Sequence, residues 1–193
     1  MQALLFLNVS TYTFIVYYLI MHKALLPYVK KWMQTPTGFK WMLNLSPMYR
    51  RTTARIFYVS DDLLCIKIKL KRSYKNLNIA GTIFGGSLFA ATDPIYMTQL
   101  MMLLNNEFIV WDKASTIRFK RPAINKVIGE FRYTKEEVAK IKENATKNGS
   151  IDFIKTVFLK DRQGKIIAEV DKTIYVATKR FYAAKRKQKL TTS

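Results

Sequence analysis

The chain has 193 residues, 49% of them apolar, with seven glycines and five prolines; this suits one folded core and excludes a disordered chain. Thirty-three Lys and Arg against 13 Asp and Glu give a net charge of +20. That charge suits nucleic acid, an anionic membrane surface or small-molecule phosphates, unless it is simply solvated. Cys65 and His22 are the lone cysteine and histidine, which leaves no disulfide framework and no zinc site of several His or Cys ligands. A Ser-His-Asp triad would have to recruit His22 from the apolar N-terminal segment, so Ser87 is a poor nucleophile. A reducing, cytoplasmic location is expected. There is no Walker lysine motif, no Gly-x-Gly-x-x-Gly, no RNP strand and no zinc finger, so charge alone speaks for nucleic acid, which is not an expected partner.

Residues 1–39 read as an apolar to amphipathic N-terminal helical segment. Residues 1–21 carry no charged side chain, and from Phe14 the apolar positions recur at helical spacing through Tyr17, Tyr18, Leu25, Tyr28, Trp32 and Met33, with Lys23, Lys30 and Lys31 off that face. Pro27 should bend or interrupt it. Three readings stay open: a helix covering the core or a dimer contact, an interfacial membrane anchor through residues 1–33, or a true span. Residues 35–50 form a Pro- and Gly-punctuated connection with a short helical piece around Trp41 to Leu45.

Two strands follow, Thr53–Val59 and Leu63–Leu70, turned by Ser60-Asp61-Asp62. In the second, Leu64, Ile66, Ile68 and Leu70 alternate with Cys65, Lys67, Lys69 and Lys71, one face buried and the other wet. Beyond a central loop and helix come strands at Phe108–Phe119 and Val127–Tyr133. A helix runs from Thr134 to about Asn148, capped by Thr134 and Glu137 and stopped by Asn148-Gly149. A closing hairpin spans Ile151–Leu159 and Lys165–Thr178, and residues 179–193 form a basic tail. The order ββ-α-ββ-α-ββ predicts an α+β domain over residues 40–178.

The central stretch runs from Asn76 to Leu104. Asn78, Gly81, Gly85 and Gly86 suit a loop with positive φ and close backbone approach. From Ser87 the sequence is apolar on all sides, as in an enclosed helix, except for Asp93. Phe89, Ala90, Tyr96 and Met97, one turn away, offer it no cation, so this carboxylate needs a partner from elsewhere or a task. The plain alternative is that Asp93-Pro94 marks a helix break, with Asp as cap. Gly85 and Gly86 open the helix with free N–H groups suited to a developing negative charge. Asp93 lies eight residues on, roughly 12 Å along the axis. If both act on one carbonyl, they come from different subunits, and the protein at least dimerises.

Asn78-x-x-Gly81-x-x-Phe84-Gly85-Gly86 followed by Asp93 resembles the Asn-x-x-Gly-x-x-His-Gly-Gly…Asp signature of the PaaI-like acyl-CoA thioesterases of the hotdog fold. The string Gly81 to Ala90, with Ile109 to Lys113 and Ile117 to Pro122, is closer to the thioesterase-like family that includes the C-terminal domain of YiiD. The resemblance covers about residues 40 to 178. It implies an antiparallel curved sheet wrapped around one long central helix, no cofactor or metal, an acyl-CoA or acyl-carrier thioester as substrate, and a homodimer or dimer of dimers. Asp93 would be general base or nucleophile, the Gly85 amide would polarise the thioester carbonyl, and Asn78 would orient water or substrate. Phe84 replaces the family's His, exchanging an imidazole at the helix mouth for an apolar wall beside Gly86. Asp112 stands near a position where relatives keep a hydroxyl that orients water. The acyl chain would lie along Phe84, Phe89, Met97 and Met101, and Arg118, Lys120 and Arg121 would meet the CoA phosphates. A non-catalytic module that binds an acyl chain or carrier, at a membrane or away from one, is the competing expectation.

Overall fold

The computed structural model describes residues 26–191. The apolar run at residues 14–20 and His22 lie outside them, so the three readings of the N-terminal segment are tested only from Leu26 on. No helix among the described residues is long and apolar enough to cross a membrane.

The described residues begin with three short helices, α1 (Leu26–Met33), α2 (Pro36–Leu45) and α3 (Pro47–Arg51). The helical piece expected at Trp41 is longer than its apolar letters suggested. Thr35 caps α2 by accepting from the Gly38 N–H, and Pro36 sits at the first position, where a missing N–H costs nothing. Strands β1 (Ala54–Val59) and β2 (Cys65–Leu70) form the expected hairpin. Then come the central helix, in two pieces α4 (Gly85–Thr92) and α5 (Ile95–Leu103), the strands β3 (Phe108–Phe119) and β4 (Val127–Arg132), and helix α6 (Lys135–Asn148). Strands β5 (Ser150–Lys160) and β6 (Ile166–Thr178) lead into the final helix α7 (Lys179–Thr191).

The six strands make one antiparallel sheet in the order β1-β2-β4-β5-β6-β3. Its inner face carries Ile66, Ile68, Leu70, Phe131, Leu159, Val170, Ile174 and Val176, all fully or almost fully buried against Leu88, Ala91, Ile95 and Leu100 of the central helix. A curved antiparallel sheet around a central helix is the hotdog fold. Burying this apolar face drives the association of helix and sheet. Cys65 departs from the expected alternation. It is buried rather than wet, and burial pushes its thiol above the ordinary value, away from the reactive thiolate.

The two edges of the sheet differ. On β1, Asn44 of α2 donates to the Ile56 carbonyl at 2.8 Å and accepts from the Ile56 N–H at 2.9 Å. The Ala54 N–H donates to the Thr52 hydroxyl, Arg55 donates to the Ala54 carbonyl, and the strand is irregular between Ile56 and Tyr58. β3, at the opposite edge, is 12 residues long and pairs among the described residues with β6 alone.

Candidate active site

The central helix begins at Gly85, as its glycines predict, with Phe84 at the cap position. Both glycines lie under aromatic rings that any larger residue would have to displace: a Cβ on Gly86 would lie 2.2 Å from the Phe84 ring, and one on Gly85 would lie 2.8 Å from the Phe119 ring. The preceding loop is closed by Asn78. Its side-chain oxygen accepts from the Thr82 N–H at 3.0 Å, and its amide nitrogen donates to the Thr82 hydroxyl at 2.9 Å. Gly81 takes φ 71° in the same loop, a left-handed conformation that glycine adopts readily. Asn78 therefore holds the loop that presents the helix start.

At Asp93-Pro94 the helix is interrupted, since proline has no N–H to give and its ring crowds the preceding turn. The Pro94 carbonyl accepts from Thr98. The break was foreseen, but Asp93 as its cap was not borne out, because α5 has no side-chain cap. The carboxylate finds its cation outside its own helix, as the sequence requires, but it is not enclosed. The Asp93 side chain is 59% exposed, and Lys172 of β6 reaches its Oδ1 at 2.7 Å.

Lys172 is the centre of the site. It stands in phase with the inward-facing Val170, Ile174 and Val176 and is itself completely buried. Its ammonium group also donates to Asp112 Oδ2 at 2.9 Å and lies 5.6 Å from the Phe89 ring centre. A buried cation in this position requires such partners. Asp112 is largely covered, and its Oδ1 has no hydrogen-bond partner. Burial holds its carboxyl above the ordinary aspartate value, Lys172 pulls it down, and the neighbouring Asp93 charge pushes it up again. The helix break, β3 and β6 thus bring together two carboxylates around one lysine. Composition gave no sign of Lys172, although the β6 alternation does place it in the apolar row.

The remaining site residues are dispersed. Phe84 is 55% exposed at the helix mouth, while Phe89, Met97 and Met101 are half-buried along the central helix. Arg118 donates to Asp171 at 2.7 Å, and Lys120 lies 3.5 Å from Glu169. Arg121 donates to the Ile166 carbonyl. The cations expected to meet phosphates are thus already engaged by β6.

Residues 37–176 match the model of the family described as a domain of unknown function, DUF4442. The chain belongs to this family. The DUF4442 region ends two residues before β6 does, so α7 lies beyond it. No curated protein matches the chain. Among solved structures, a Pseudomonas aeruginosa protein described as of unknown function and as a "Probable Thioesterase" is 21% identical, with a TM-score of 0.66 over 74% of this chain and 96% of its own. A Haemophilus influenzae thioesterase is 12% identical, with a TM-score of 0.56 over 75% of this chain and 91% of its own. A Chlorobaculum tepidum protein of unknown function is 13% identical, with a TM-score of 0.60 over 75% of this chain and 98% of its own. Likeness at such identities establishes the hotdog fold of this DUF4442 domain.

Proposed function

We propose that the protein hydrolyses acyl-CoA thioesters as a homodimer, with Asp93 of one subunit and the Gly85 amide of the other facing the same carbonyl. The observation that carries this reading is the state of Asp93: an exposed carboxylate at a helix break, held by a buried lysine through Oδ1 only. The ion pair fixes its orientation and leaves Oδ2 to take a proton from water or to attack the thioester carbon. The first N–H groups of α4 have no intrahelical partner and can receive the charge that develops on the carbonyl oxygen. The open β3 edge is a template for pairing with a second copy. Phe84, Phe89, Met97 and Met101 would line the path of the acyl chain. Lys120, with its longer ion pair, and Arg121 would be the first to exchange partners for CoA phosphates. Within the hotdog thioesterase-like proteins, the motif strings favour the branch that includes the YiiD C-terminal domain.

One observation favours a non-catalytic acyl-binding module instead: the Phe84 and Phe119 rings press on the two glycines at the helix mouth, where the developing charge would be received. A panel of acyl-CoAs with a free-thiol readout separates the two. Wild type should release thiol, and Asp93→Asn should lower the rate by at least about 100-fold, the scale of general-base catalysis, with the dimer intact. Full turnover by Asp93→Asn would remove Asp93 from the mechanism, and binding without thiol release would establish the module.

A further inference from the structure

The outer face of the sheet carries a second feature, next to the Lys172 cluster but opening on the other side. Tyr175 lies on β6 opposite Trp111 on β3, and both side chains alternate away from the buried row of Val170, Lys172, Ile174 and Val176. Helix α7 folds back over this face. Its Phe181 ring packs on Gly149, where a Cβ would approach to 2.4 Å, and its Tyr182 ring lies 6.5 Å from that of Tyr175. Between helix and sheet is a cleft of about 270 Å³ lined by Trp111, Asp112, Lys113, Tyr175, Tyr182, Lys185 and Arg186. Three of these seven residues come from α7, which lies beyond the matched family region.

Three cations, Lys113, Lys185 and Arg186, outnumber the single carboxylate of the lining, Asp112, which is paired with Lys172. Lys113 is paired with Asp152, but among the described residues Lys185 and Arg186 have no carboxylate partner. The Lys185 and Lys113 ammonium groups lie 5.7 and 6.0 Å from the centre of the same Tyr175 ring. The Tyr175 hydroxyl is buried and has no hydrogen-bond partner. A buried donor left unpaired is costly unless a ligand completes it. Trp111, half exposed, offers a ring face at the cleft. The volume lies just below the usual range of ligand pockets, about 300–1,000 Å³. One ring system with one phosphate group fits; a long chain does not.

We infer that this cleft binds a nucleoside phosphate, its base against the Trp111 and Tyr182 rings and its phosphate on Lys185 and Arg186, with the Tyr175 hydroxyl donating to a ligand oxygen. Flat rings give stacking, and charge-assisted donors hold the phosphate. Tyr175 and Lys172 face opposite sides of the sheet, and Asp112, the partner of Lys172, is shared between the cleft and the proposed hydrolytic site. Calorimetric titration of the full chain with ADP tests it, using inorganic phosphate, adenosine and a single-stranded oligonucleotide as comparators. Wild type should bind ADP saturably and more tightly than either phosphate or adenosine. Lys185→Glu with Arg186→Glu, both on the exposed face of α7, should weaken ADP by at least about tenfold. Tyr175→Phe, which keeps the ring and removes the unpaired hydroxyl, should weaken it several-fold at a melting temperature no lower than that of wild type. The assignment falls if wild type shows no saturable ADP binding, if the double variant binds equally well, or if phosphate alone binds as tightly as ADP. An oligonucleotide that outcompetes ADP would overturn it too, making the cleft a nucleic-acid site.

Discussion

Lys172 lies beyond the reach of water, with Asp93 and Asp112 as its charge partners. Replacing it with Met keeps the volume but leaves Asp112 covered and without its cation. We predict a loss of about 3 kcal/mol, the scale of breaking a buried pair by removing one partner, read by urea denaturation. The loss should depend on pH in a defined sense. The Asp112 carboxyl is already raised in the folded protein, and losing Lys172 raises it further. A carboxyl raised on folding contributes stability below its unfolded value, near 3.8, and loses it as pH rises through the folded value. The gap between wild type and Lys172→Met should therefore be small in acid and widen toward neutral pH; a gap that narrows would contradict this. Asp93 could be picked out from sequence because a charge interrupts an apolar run. Lys172 was harder to see, because it follows Asp171 in a strand that also carries Glu169, and the sign of its burial is phase alone.

Helix termini illustrate what local sequence specifies. Thr134 accepts from the Glu137 N–H, and Glu137 accepts from the Thr134 N–H at 2.8 Å, closing the capping box of α6. Lys155 also donates to Glu137, at 3.0 Å, and the Glu137 carboxyl is held below its ordinary value despite its partial burial. Thr134→Ala should lower stability by about 1 kcal/mol, measured by thermal unfolding. Such boundaries were legible because capping partners are neighbours in the chain, and the β3 and β6 spans were legible from their alternation. The α2 boundary and the burial of Cys65 were less so, since both depend on contacts across the sheet or between helices. The site divides the same way. The Gly85 helix start and the Asp93 break follow from local chemistry. The engagement of Arg118 and Lys120 by Asp171 and Glu169 follows from β3–β6 register, which no short window contains.

At the scale of the whole molecule, the charge of +20 is unevenly balanced: carboxylates on β6 offset β3, whereas α7 is almost purely basic. Removing residues 179–193 should abolish ADP binding and leave thiol release by the domain in place, measured side by side; loss of both would tie the two sites together. Sedimentation should show a dimer, and a proline placed at an outward-facing position of β3 should yield monomers that hydrolyse no thioester, because each half of the proposed site then lacks the other. The β1 border adds a limit to this assembly. Asn44, Thr52 and Arg55 occupy its outward polar groups, and the irregularity after Ile56 turns the strand aside. A sheet with one border sealed can extend by strand pairing only once, so in the proposed assembly edge-to-edge growth would end at the pair instead of running on into a fibre. Unsealing it with Asn44→Ala should give species larger than the wild-type assembly as concentration rises.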